Sequence, residues 1–191
     1  GAMANYTNDN KPWTNPSITL LIKNVTIEDG VTSIGNYGFC QCTNMNSISI
    51  PPSVSYIGEY SFYYCINLNS IEIPDSVDFI SRYSFYSCTK LITINLNDKI
   101  TSINEYSFYK CSMLTSINIP NSLLTIQDYA FYSCTQLSSL NIPNTVSFIG
   151  TGAFSGCRVL SSINVPNLIT SILGYTFDSC SSLETLVIPE S

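Results

Sequence analysis

The chain predicts a repeat solenoid of 23-residue units, with a parallel β-sheet on one face and short extended segments and helical turns on the other. Three observations carry that fold class. Phe39, Phe62, Phe85, Phe108, Phe131, Phe154 and Phe177 recur every 23 residues. Cys42, Cys65, Cys88, Cys111, Cys134, Cys157 and Cys180 keep the same interval, as do Ile34, Ile57, Ile80, Ile103, Ile126, Ile149 and Ile172. Just ahead of the proline in each unit, apolar and polar residues alternate, which is the period of a half-buried strand. Self-similarity at a fixed period of this size marks stacked supersecondary units, and no insertion interrupts it.

The elements follow in chain order. Residues 1–4 (Gly1, Ala2, Met3, Ala4) read as an expression scar. Residues 5–21 read as a flexible lead-in and N-terminal cap, with Trp13, the only tryptophan, placed to cover the first coil. Residues 22–191 form the solenoid, about seven full repeats plus a partial one, because Ile22, Val25 and Ile27 stand 23 residues before Met45, Ile48 and Ile50. Within one unit, Leu68, Ile71 and Ile73 mark a strand, and Pro74 ends it by removing a donor. Val77 and Ile80 mark a second extended or turning segment. Residues 82–88 then make a short helical turn that buries Phe85 and Cys88.

One such unit cannot bury its apolar side alone, whereas stacked copies can. Coils spaced like strands, about 4.8 Å apart, give a rod or shallow arc roughly 30–35 Å long. The last coil carries Leu183, Leu186 and Ile188 without a following cap. An open parallel edge of that kind predicts self-association.

Composition removes several function classes. A net charge of −6 with seven Lys and Arg leaves no basic stripe for phosphates, so no nucleic-acid partner is expected. No apolar run reaches the roughly 18 residues of a membrane span, so this stretch is not expected to insert directly into a bilayer. With no histidine, Ser-His-Asp and Cys-His catalysis is excluded. The acidic residues are scattered without a repeated pairing, and no glycine loop suits phosphate. The expectation is no catalytic residue, no metal ligand set, no cofactor and no enzyme.

The cysteine column reads as a structural ladder of buried thiols alongside the phenylalanines. Side chains one coil apart hold their Cβ atoms near 4.8 Å, beyond the roughly 3.8 Å a disulfide prefers. Cys40 stands off this ladder, in a column held elsewhere by tyrosine, and is expected to be exposed and the most reactive thiol.

Two faces are candidates for binding. Tyr63, Tyr86, Tyr109 and Tyr132 stand one place after the phenylalanines and form an outer aromatic stripe, suited to a protein or glycan. Packing is the other reading of that column. An earlier column, Tyr37, Tyr60, Tyr83, Tyr106, Tyr129 and Tyr175, reads as a cover over the core with its hydroxyls in water. The strand face presents Ser70, Thr93, Ser116 and Ser139 beside Glu72, Asn95, Asn118 and Asn141. That array is either a polar ladder bonded to itself between coils or a neutral recognition face.

The pattern resembles the BspA-like, or Treponema-type, leucine-rich repeats. Leu137, Leu140, Ile142, Pro143, Val146, Ile149, Gly150, Ala153, Phe154 and Cys157 reproduce the unit across two coils. The likeness runs over residues 22–191, with Met45 in place of Leu, Asn97 in place of Pro, and Gly152 where other units carry Tyr. The resemblance implies a cell-surface or secreted protein of a host-associated bacterium or anaerobic protist. It implies adhesion to host cells or to matrix proteins such as fibronectin and fibrinogen. The expected function is therefore a non-enzymatic module binding a host or matrix protein or glycoprotein. The alternative is an intracellular, cytoplasmic or receptor-type scaffold for an endogenous protein partner.

Overall fold

The structure is a computed structural model that describes residues 3, 4, 6 and 16–189. Trp13 and most of the expected lead-in lie outside the described residues. From Asn24 onward the chain winds as a parallel β-solenoid in which every paired strand meets its neighbour at an offset of 23 residues. A short helical segment, Pro16–Thr19, precedes it.

Two lines of parallel strands run along the solenoid, each broken into short sheets of two or three strands. The first holds Asn24–Thr26, Ser47–Ser49, Thr93–Asn95, Ser116–Asn118, Ser139–Leu140 and Ser162–Ile163. In the third coil this line is reduced to a single bridge from Ser70 to Thr93. These are the strands expected ahead of the proline. Their central Ile or Leu points inward and both flanking residues point outward, which the alternation requires. The second line is built from two-residue strands such as Tyr56–Ile57, Phe79–Ile80, Ser102–Ile103 and Thr125–Ile126. Its inward residues are the isoleucine column.

The segment around each phenylalanine is a run of hydrogen-bonded turns whose amides alternate between a carbonyl of the same coil and one of the next. In the first coil the Tyr37, Phe39 and Gln41 amides donate to the carbonyls of Glu59, Ser61 and Tyr63, one coil on. The alternate amides of Gly38, Cys40 and Cys42 close turns onto Gly35, Tyr37 and Phe39. Alternating the direction of successive amides in this way takes two left-handed residues per coil. Tyr37 and Gln41 have φ of 57° and 62°, and Tyr60, Tyr64, Tyr83, Ser87, Tyr106 and Lys110 repeat the pair.

The core is one continuous stack. Phe39 to Phe177 form a column of near-parallel rings with centroids 5.2–5.7 Å apart. Each cysteine from Cys65 onward donates its thiol to the carbonyl of the phenylalanine in the preceding coil, at 3.1–3.2 Å. That carbonyl already accepts the amide of its own coil's cysteine, so both of its lone pairs are used. The thiol is thus a small apolar filler with a donor in the right place, which alanine could not supply.

At the N-terminal end the Met3 amide donates to the Ser33 carbonyl at 3.2 Å, and the Tyr6 amide to the Asn36 carbonyl at 3.0 Å. The terminal stretch thereby lies along the first coil. A Cβ on Gly35 would collide with the Ala4 carbonyl, so glycine is what lets it approach. At the other end Ile172, Tyr175, Val187 and Ile188 are exposed, having no following coil to cover them.

Two predictions test this packing. Phe108→Ala should lower unfolding free energy by about 3–5 kcal/mol in chemical denaturation, because the ring is enclosed by Phe85 and Phe131. A loss below about 1 kcal/mol would be too small for removing an enclosed ring and would misplace the column. Gly152 sits at the left-handed tyrosine position, with φ 59°, and a Cβ there would come 2.5 Å from Cε1 of Tyr129. Gly152→Ala should therefore cost about 1–2 kcal/mol, read as a lowered melting midpoint.

Candidate functional site

The strand face is the more open of the two candidate surfaces. Its two outward columns are short hydroxyls and amides, with Glu72 the one carboxylate among them in the middle coils. Glu72, Thr93, Asn95, Ser116, Ser139 and Asn141 are exposed, and among the described residues their side chains make no hydrogen bond. Ser70 bonds only its neighbour Asn69 at 3.1 Å, and the Asn118 amide reaches the Leu96 carbonyl at 3.4 Å. Inter-coil bonding concentrates at the two ends. Ser47 donates to Asn24 at 2.8 Å, and Asn164 both donates to the Ile142 carbonyl and accepts its amide, at 2.6 and 2.7 Å. A shallow open depression of about 400 Å³ lies over Ser139–Asn141 and Ser162–Asn164. A second, about 240 Å³, lies over Ser47–Ile50 and Ser70–Glu72.

The tyrosine face is built differently. Tyr37, Tyr60, Tyr83, Tyr106 and Tyr129 stack with centroids 4.6–5.1 Å apart, and Tyr63, Tyr86, Tyr109 and Tyr132 stack at 4.5–4.9 Å. The two columns also touch one another, Tyr60 meeting Tyr63 edge-on at 5.3 Å. Both are half-buried, so the ring faces are spent on each other and the ring edges meet solvent. Tyr64 is the exposed member of this wall in the second coil, and Lys110 lies 5.4 Å above the Tyr109 ring. The wall stops at Tyr129 and Tyr132, because the next coil carries Gly152 and Ser155 in their places.

Burial dominates the acidities of this face. It pushes the Tyr60 phenol up to about 12, with Tyr83, Tyr37 and Glu59 adding to the rise. Burial and then Tyr109 and Tyr63 push Tyr86 up further, and burial raises Tyr37, Tyr63, Tyr106 and Tyr109 too. The enclosed thiols of Cys65, Cys88, Cys111 and Cys134 are raised for the same first reason.

Cys40 departs from expectation. It is 1% exposed, not an open reactive thiol. Tyr37 and Tyr63 lie near enough to it that its charge would raise both phenols. A place in a column held elsewhere by tyrosine therefore does not mark a small side chain as exposed. Among the described residues no group of His, Cys, Asp and Glu could hold a metal ion. None of their helices is long and apolar enough to cross a membrane.

With this geometry in place, the BspA type leucine-rich-repeat region matches residues 18–134 and 101–191, in six copies. The chain belongs to that family. Three solved structures resemble this BspA-type solenoid. A leucine-rich cell surface protein of Faecalibacterium prausnitzii A2-165 is 36% identical, with TM-score 0.71, over 74% of this chain and 38% of its own. A leucine-rich repeat protein of Bacteroides ovatus ATCC 8483 is 28% identical, with TM-score 0.68, over 86% of this chain and 48% of its own. The T. pallidum leucine-rich repeat protein is 27% identical, with TM-score 0.57, over 93% of this chain and 72% of its own. The chain thus spans less than half the length of the first two. No curated protein matches it in sequence.

The raised phenols give a pH prediction. The unfolded chain releases its phenolic protons near 10, whereas the folded chain holds the Tyr60 proton to about 12. Stability from this source is fully present below about 10 and is lost as pH rises through about 12. The raised thiols act in the same direction from about 9 upward. Circular dichroism should show constant stability from neutral pH to about 9, then a steady decline. Phenolate absorbance rising before unfolding would contradict the burial assigned to the wall.

Proposed function

We propose that this BspA-type solenoid is a non-enzymatic protein-binding module displayed at a cell surface or secreted, and that it engages a host or matrix protein through its strand face. One observation carries the choice of face. Side chains in the middle of the strand face keep their hydrogen-bonding capacity, whereas the tyrosines have committed their ring faces to one another. An unbonded Ser/Thr and Asn array on a rigid sheet loses little conformational freedom when a partner docks. The family supplies the setting, and the F. prausnitzii relative is a leucine-rich cell surface protein. The strand face carries shallow open depressions between neighbouring coils, a shape suited to contact with another macromolecule.

The face is nearly neutral, Glu72 being its charged member in the middle coils. Long-range attraction therefore contributes little, and binding should depend weakly on ionic strength. Purified chain should bind saturably to immobilised fibronectin or fibrinogen, or to intact epithelial cells. Asn95→Arg with Asn141→Arg should abolish that binding without shifting the melting midpoint, because both side chains are exposed and unbonded. Binding that persists in this double variant would remove the strand face from the function. Absence of binding to all three targets would remove the host-directed reading.

A further inference from the structure

The tyrosine wall has a chemistry that packing does not require. Phenylalanine fills the neighbouring core column with the same stacked geometry, so ring stacking alone does not call for hydroxyls. In the wall, nine phenols stand in two touching columns across five coils. Tyr86 and Tyr109 are 4.5 Å apart and within 7° of parallel, and Tyr109 and Tyr132 are 4.6 Å apart at the same angle. Parallel rings repeated at that separation put the carbons flanking each hydroxyl about one ring separation from their counterparts one coil away. Those ortho carbons are the atoms that join when two tyrosines couple.

The wall also has an outer contact. Tyr64 is 40% exposed, and its ring lies 4.7 Å from Tyr63 and 5.8 Å from Tyr86. A radical formed on Tyr64 can therefore pass to the stacked columns by a short step. Tyr175, 70% exposed, stands beyond the gap left by Gly152 and has no ring within stacking distance among the described residues. It is an internal control supplied by the molecule.

We propose that the tyrosine wall is an oxidative cross-linking site, at which a peroxide-driven one-electron oxidant joins tyrosines of adjacent coils as dityrosine, with Tyr64 as the residue that first meets the oxidant. Each phenol gives up one electron and its hydroxyl proton, leaving a phenoxyl radical with spin density on the ortho carbons. Two neighbouring radicals form one carbon–carbon bond. The hydrogens on the joined carbons then move to the two oxygens and restore both phenols. The pair has lost two electrons and two protons, which convert one hydrogen peroxide to two waters. The product staples coil to coil on a surface where the thiols cannot, since those are buried and donate to the phenylalanine carbonyls.

The test exposes the intact chain, at low concentration and neutral pH, to a haem peroxidase with limiting hydrogen peroxide. The expected result is dityrosine fluorescence on the monomer band and an intact mass lower by two hydrogens per link. Peptide mapping should join tyrosines of adjacent coils, and the melting midpoint should rise. Replacing Tyr83, Tyr86, Tyr106 and Tyr109 together by Phe keeps the rings and should remove most of the fluorescence. Tyr175→Phe should change nothing, and Tyr64→Phe should slow the reaction. Fluorescence confined to dimers, or mapped links that join only Tyr6 or Tyr175, would overturn the proposal. So would oxidation without dityrosine. An unchanged rate in Tyr64→Phe would overturn the role given to that residue.

Discussion

Each backbone amide in the turn segments must meet a carbonyl either three residues back or one coil on, and this double requirement governs the rest of the molecule. The Phe62 amide reaches Ser84 and the Cys65 amide returns to Phe62, and the same pair of bonds recurs in the coils that follow. A coil one residue longer would slip its amides off their acceptors in the adjoining coils and leave buried polar groups unpaired, which costs more than the bonds gain. The absence of insertions across the repeats is the sequence trace of that constraint. Column chemistry follows from it, because a position that recurs every 23 residues is stacked on its own copies.

The left-handed residues are the cost of that wiring. A bulky side chain at positive φ costs on the order of 1–3 kcal/mol, yet tyrosine occupies the first such position in six coils. In five of these coils stacking supplies the compensation, since Tyr37, Tyr60, Tyr83, Tyr106 and Tyr129 lie against their copies, while Tyr175 holds the conformation without a stacked ring among the described residues. Where the column breaks, the residue is Gly152, which bears the conformation without needing a stack to offset it. Tyr129, left without a ring above that glycine, forms the widest contact in its column, 5.1 Å and 20° from Tyr106. The tyrosine column and its glycine gap are therefore one solution to a backbone problem, whatever else the wall does.

The solenoid, its interval and its core columns were legible in the sequence because stacking writes itself as periodicity. The second line of strands was less so: two-residue strands such as Phe79–Ile80 present one inward residue each, too few to show an alternation. Left-handed tyrosines were invisible, since tyrosine is a poor marker of positive φ. Asn97 is a case where a departure from the repeat needed the coordinates. In other coils a Ser or Thr hydroxyl donates to the carbonyl one coil back, as Ser76 does to Val54 and Ser122 to Ile100. Lys99 occupies that position in the fourth coil and cannot make the same short bond. The Asn97 amide makes it instead, reaching Val77 at 2.8 Å and Pro74 at 2.8 Å, which the usual proline could not do. Two odd residues in one coil thus compensate for each other, and neither is informative alone.

The same stacking logic separates the two faces. Large planar side chains repeated at one-coil spacing must pack on one another, so the tyrosine face becomes a sealed wall offering edges and hydroxyls. Short polar side chains at that spacing do not have to pack on their copies: Ser47 reaches Asn24, whereas Ser116, Ser139, Asn95 and Asn141 stay unbonded. Asn118, which does reach across, does so at 3.4 Å, a weak contact. Large rings repeated at coil spacing therefore seal one face by packing on one another, whereas short polar side chains in the middle of the other keep unbonded groups.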